Sequence, residues 1–248
     1  MTLPSQQPAH TIRANSLREP LATVAQRPWP MLVALLPLLI VDELGLFLRA
    51  DSVPENLARE QLRLVMQFFD LPPMLALTAG GFIIFFVLLI WHLLQNDPWR
   101  FRPAALLWIP LQGAAWTLPL LVLSMLFAAS TLAVHTTEVT MAALPQVDRL
   151  LVSLSAGLYE ELLFRMVGIA LLHAIFVDVL RLRNGTGTGL AILGTALAFA
   201  WYHDPIASPA LGVFAFVAGL ELGMLFVWRG FAVVVWTHVL YDIAVTML

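Results

Sequence analysis

Cysteine is absent from the 248 residues, and so is lysine; all 13 basic residues are arginine. The first absence excludes disulfides, thiolate catalysis and zinc or iron–sulfur sites built on cysteine, and it leaves the redox compartment unread. Charge is scarce as well: 12% of residues are charged and 60% hydrophobic, with a mean hydropathy of +0.86. A soluble domain carries about 25% charged residues, so the deficit belongs to a chain whose solvent is partly lipid. A net charge of −3 points away from a nucleic-acid partner. A cleavable leader pattern is also missing. Residues 1–28 form a polar tail with Arg13, Arg18 and Arg27, and no small-residue cleavage site follows the apolar run that begins near Trp29. That run reads as a retained first span.

What the chain has in quantity is long apolar runs, at about 29–48, 73–95, 104–130, 150–180, 189–203, 208–228 and 230–248. Crossing the hydrocarbon takes about 20 helical residues at about 1.5 Å each. The expectation is an all-α fold: a polytopic membrane bundle of 7–8 transmembrane helices enclosing a polar cavity, with 29–248 as a single membrane domain. The fourth run contains Glu160, Glu161, Arg165 and Asp178, and reads either as one long helix or as a surface helix followed by a span. The intervals 49–72, 96–103 and 183–189 read as loops, with Asp204-Pro205 and Arg229-Gly230 as breaks. With the N-terminus inside, Arg13, Arg18, Arg27, Arg100, Arg102, Arg181, Arg183 and Arg229 fall inside. Asp51, Glu55, Glu60, Asp70, Glu138, Asp148 and Asp204 then fall outside, a positive-inside pattern for seven spans.

A charge at mid-bilayer costs about 2.5–3.5 kcal/mol on insertion scales, so ionisable residues inside the apolar runs are the informative ones. In Glu160-Glu161-Leu162-Leu163-Phe164-Arg165, the helical spacing lets Glu161 pair with Arg165 and turns Glu160 toward a different partner. Two adjacent carboxylates suit a water-activating base; an arginine–glutamate clamp between helices is the competing reading. His203 ends the Phe199–His203 segment just before Asp204-Pro205, where an interfacial histidine is the competing reading. His238 and Asp242 share a helix face, so Asp242 is expected to accept from one imidazole nitrogen and fix the tautomer, leaving the other nitrogen for substrate or metal. A buried structural His–Asp pair is the competing reading. Meeting in one cavity, these groups would satisfy one another and supply a base, an imidazole and oxyanion-side groups for attack of water on a carbonyl. No chemistry is assigned to Asp42, Glu43, His92, His173, Asp178 or Glu221.

In that order, Glu160-Glu161-x-x-x-Arg165, Phe199-x-x-x-His203 and His238-x-x-x-Asp242 resemble the three motifs of the CPBP family. This is the family of CAAX proteases and bacteriocin-processing (Abi) proteins, similar to type II CAAX prenyl endopeptidases. The resemblance covers a catalytic core at about 150–248. It implies an intramembrane endopeptidase in which Glu160 activates water assisted by His203, Glu161 supports Glu160 and binds Arg165, and His238 faces the developing oxyanion. The fourth role usually falls to an asparagine, where this chain has Asp242; an ionised aspartate cannot donate. The resemblance implies no cofactor. The expected substrate is a membrane-associated peptide or protein, lipid-modified or carrying a sorting or leader sequence, cleaved near its terminus. The expected setting is a bacterial inner (plasma) membrane. Two other readings stay open: a divalent-metal peptidase, with zinc or a similar ion on Glu160, His203 and His238, and a non-catalytic immunity or chaperone-like membrane protein.

Overall fold

Every described element is helical. The computed structural model describes residues 20–49, 73–99, 102–131, 143–203 and 208–247, with 53, 60, 61, 63, 64, 67, 70 and 206 as isolated positions. The tail with Arg13 and Arg18, the loop positions Asp51, Glu55, Arg100 and Glu138, and the Asp204-Pro205 break lie outside the described residues. The helices are α1 (Leu21–Val24), α2 (Pro28–Arg49), α3 (Pro73–Gln95), α4 (Pro103–Thr131), α5 (Gln146–Val179), α6 (Asn184–Tyr202), α7 (Pro209–Arg229) and α8 (Phe231–Met247).

Proline sets half of the helix starts. It is the first residue of α2, α3, α4 and α7, where its missing N–H is one that no helix would use and its fixed φ suits the first turn. Ser208 caps α7 by accepting from the Leu211 amide at 3.3 Å. Between α7 and α8 a single residue makes the turn: Gly230 has φ +90°, a conformation that side chains resist.

The span count differs from expectation. Among the described residues, four helices are long and apolar enough to cross a membrane: Pro28–Arg49, Pro103–Phe127, Gln146–Val179 and Pro209–Arg229. The 7–8 transmembrane helices read from hydropathy are therefore corrected to four among the described residues. The physical reason is length and dilution. Phe231–Met247 is apolar but has 17 residues, below the roughly 20 that hydrocarbon requires. Helix α6 opens Asn184-Gly-Thr-Gly-Thr-Gly, so its apolar content is diluted. That segment, read as a loop over 183–189, is the start of the helix, with Thr188 donating to the Asn184 carbonyl at 2.9 Å. Nor does the fourth run split into a surface helix and a span: Gln146–Val179 is one helix, wound as π-helix over Glu161–Ile169 and Ala174–Val179.

Helix α8 lies at the centre. Its residues Phe231 to Val235, Thr237, His238 and Val239 are buried. It is reached from three sides by close approaches. A Cβ on Gly113 of α4 would sit 2.6 Å from the Trp236 Cβ, and one on Gly157 of α5 would sit 2.8 Å from the Val239 amide nitrogen. From α2, the Ala34 carbonyl accepts from the Trp236 indole at 3.2 Å. Helices α6 and α7 pack through Gly219, whose Cβ would lie 3.0 Å from the Ala196 Cα. At the far end, Arg49 of α2 binds the buried Asp148 of α5 through two hydrogen bonds. Glu160, Glu161, Arg165 and His238 are buried. A cavity of about 320 Å³ lies between α2 and α3, lined by apolar side chains and Glu43.

Because a Cβ at Gly157 would meet the Val239 Cγ2 at 2.5 Å and, behind it, backbone that cannot swing aside at 2.8 Å, Gly157→Ala is expected to destabilise the fold by about 1–3 kcal/mol. Gly185→Ala, with nothing within 4 Å of its Cβ, should be neutral or slightly stabilising. Unfolding midpoints in detergent compare the two, and equal midpoints would contradict the α5–α8 approach.

Candidate active site

Three helices each deliver one motif. Helix α5 carries Glu160, Glu161 and Arg165; His203 follows directly on α6; α8 carries His238 and Asp242. Glu161 is the junction. It is 0% exposed, and its Oε1 lies 2.6 Å from Nδ1 of His238 and 2.9 Å from Nη1 of Arg165. A carboxylate oxygen only accepts, so His238 donates from Nδ1. The opposite nitrogen, Nε2, faces Oε2 of Glu160 at 3.8 Å and Oδ2 of Asp242 at 3.6 Å.

This arrangement alters two expectations. The bond that orients His238 comes from Glu161 and not from Asp242. Glu160 and Glu161, expected to face different partners, approach the two nitrogens of the same ring. The helix changes from α to π winding at Glu161. π-wound segments occur frequently at functional sites.

Phe199 separates the two histidines. Its ring lies 4.5 Å from that of His203 and 6.1 Å from that of His238, centroid to centroid. It also meets the Phe164 ring edge-on at 5.1 Å, and the Arg165 guanidinium, itself 1% exposed, lies 4.4 Å from its centroid. A cation on an aromatic face in a desolvated site gains about 2 kcal/mol, which helps hold a charge there. His203 has its Nδ1 2.9 Å from the Phe199 carbonyl oxygen. A carbonyl accepts, so Nδ1 carries the proton and Nε2 is the nitrogen able to accept one. Tyr202 was not singled out from sequence. Its hydroxyl hydrogen-bonds Glu160, and its ring lies 5.2 Å from that of His203. The only signal for it was its place beside His203.

The structure therefore brings Glu160, Glu161, Arg165, His203, His238 and Asp242 into one neighbourhood. The other polar residues lie elsewhere. His92 packs against Trp29 and Trp99, and His173 bonds Asn184 at 2.8 Å. Among the described residues, no group of three or more His, Asp or Glu side chains is arranged to hold a metal ion. Nδ1 of His203 is turned to the Phe199 carbonyl and Nδ1 of His238 to Glu161, which leaves Nε2 of each ring as the nitrogen that could ligate an ion.

Residues 142–244 match the family described as type II CAAX prenyl endopeptidase Rce1-like. The matched segment contains all three motifs and falls where the sequence resemblance to the CPBP family falls. No curated protein and no solved structure matches the chain.

Removing one partner of a buried ion pair costs about 3–5 kcal/mol, because the other charge is left uncompensated. Arg165→Leu is expected to destabilise the protein by that order. An unfolding midpoint within error of the parent would show that Glu161 does not depend on Arg165.

Proposed function

We propose that this protein is an intramembrane endopeptidase that cleaves a membrane-associated peptide or protein near its terminus, using water activated by Glu160. The observation that carries the reading is the approach of Glu160, with His238 and His203, on three helices inside the segment matched to a prenyl endopeptidase family. The family's description makes a prenylated C-terminal peptide the first substrate class to assay. Leader and sorting sequences come next. The proposed setting is a bacterial inner membrane, in keeping with four helices able to cross one.

In the proposed reaction, Glu160 takes a proton from water as the water oxygen bonds the scissile carbonyl carbon. His203, with Nε2 as its acceptor nitrogen, orients that water. The carbonyl π electrons move to oxygen, and His238, protonated at both ring nitrogens, donates from Nε2 to the resulting oxyanion. Collapse re-forms the carbonyl and breaks the C–N bond, and the proton held by Glu160 passes to the leaving amine. The products are one carboxyl and one amino terminus. Glu161 holds His238 in position through Nδ1. Asp242, 3.6 Å from Nε2 of His238, acts through that ring and not as an amide-like donor.

The test compares membrane and secreted proteomes of cells carrying the parent protein and Glu160→Gln at matched abundance. An uncleaved precursor should accumulate in the variant, and His203→Ala and His238→Ala should each lower processing by about 10²–10⁴-fold. Asp242→Asn should retain processing. A chelator should leave processing intact; its abolition, with stoichiometric bound metal, would favour the metal-peptidase reading. Identical proteomes for parent and Glu160→Gln would remove the peptidase reading in favour of a non-catalytic membrane partner.

A further inference from the structure

Glu43 lies on α2, outside the segment that matches the family, and nothing in the reaction above uses it. Its Oε1 accepts from the Tyr159 hydroxyl at 3.2 Å. Tyr159 is 2% exposed and directly precedes Glu160 on α5. The two side chains meet in a slot cut by α3. A Cβ on Gly80 would lie 1.6 Å from Cε1 of Tyr159, and one on Gly81 would lie 2.3 Å from Oε1 of Glu43. Adjacent glycines on α3 thus admit a phenol and a carboxylate that larger residues would displace. The surroundings are apolar, with Leu36, Leu39, Ile40, Phe82 and Phe85 lining the cavity beside Glu43.

The geometry has a consequence for the neighbouring residue. Successive helical residues point about 100° apart, so while Tyr159 faces α2 and α3, Glu160 faces α8. A bond that stops Tyr159 from turning also stops Glu160 from turning. Its place along the chain matters as well: the winding changes from α to π at Glu161, two residues on. A helix whose winding changes there can move its side chains around the axis by shifting that change. A fixed contact just before it sets the angle at which Glu160 and Glu161 reach His238.

We propose that Glu43, through Tyr159, is a positioning residue that fixes the rotation of α5 at Glu160. Its importance to catalysis rests on the reading of Glu160 as the water-activating group; the rotational claim itself does not. The contact also gives the N-terminal part of the chain a share in the site.

The absence of cysteine makes the test direct. Leu162→Cys (5% exposed) and Leu163→Cys (38% exposed) are each spin-labelled in detergent, returned to lipid and read for contact of the label with dissolved oxygen. In the parent, oxygen contact should be high at 163 and low at 162. In Glu43→Leu and Tyr159→Phe backgrounds, contact at 162 should rise relative to 163 (the labelling ratio), and Glu43→Gln, whose amide oxygen still accepts, should restore the parent pattern. In parallel, processing of the precursor that Glu160→Gln accumulates should fall about 10- to 100-fold in Glu43→Leu and in Tyr159→Phe, as expected for a displaced reacting group. The double variant should lose less than the two single losses combined, since both changes remove the Glu43–Tyr159 bond.

An unchanged labelling ratio in both single variants overturns the proposal. So does a changed ratio with full processing, or additive losses in the double variant. Should Glu160→Gln itself leave processing untouched, the peptidase reading falls and the labelling ratio alone decides the rotational claim.

Discussion

One carboxylate with no exposure to solvent holds the arrangement together. Glu161 touches both the Arg165 guanidinium and the His238 imidazole, so a pair within α5 is also a bond to α8. Taking such charges from water costs several kcal/mol each, and only close geometry with further hydrogen bonds offsets it. The offset here is shared: Arg165 also lies on the Phe199 ring, and Phe199 in turn separates the two histidines. The cluster is therefore mutually dependent. A change in winding at α5, in the depth of α8 or in the end of α6 would leave a buried charge short of a partner.

Much of this was legible in the residues. The apolar runs mark the helices because lipid leaves a backbone few other ways to satisfy its polar groups. The Glu161–Arg165 spacing marked an ion pair, and the pair is present at 2.9 Å. Less legible was the orienting bond of His238. Four-residue spacing on α8 favoured Asp242, but the contact depends on how near α8 comes to α5, and that is set by Gly157 against Val239. Hydropathy also overcounted spans. It registers apolar content, whereas α8 is apolar mainly because it is enclosed by other helices. The Asn184–Gly189 segment looked like a loop because glycine and threonine weaken a helix; packing outweighs that propensity, with Gly187 lying close against Val177 of α5.

The family match begins at residue 142 and so omits α1 to α4, yet the matched segment does not enclose its own central helix. Trp236 of α8 donates to the Ala34 carbonyl of α2, and Thr117 of α4 donates to the Thr237 carbonyl one residue before His238. Gly113 of α4 lets the two backbones approach at the same level. These contacts fix the height of His238 from the side opposite Glu161. The Glu43–Tyr159 contact does the same for the angle of α5. A core bearing every charged motif residue thus has its position along α8 and around α5 set by helices that carry none of them. What those helices contribute is small residues at the approaches and one acceptor opposite Tyr159.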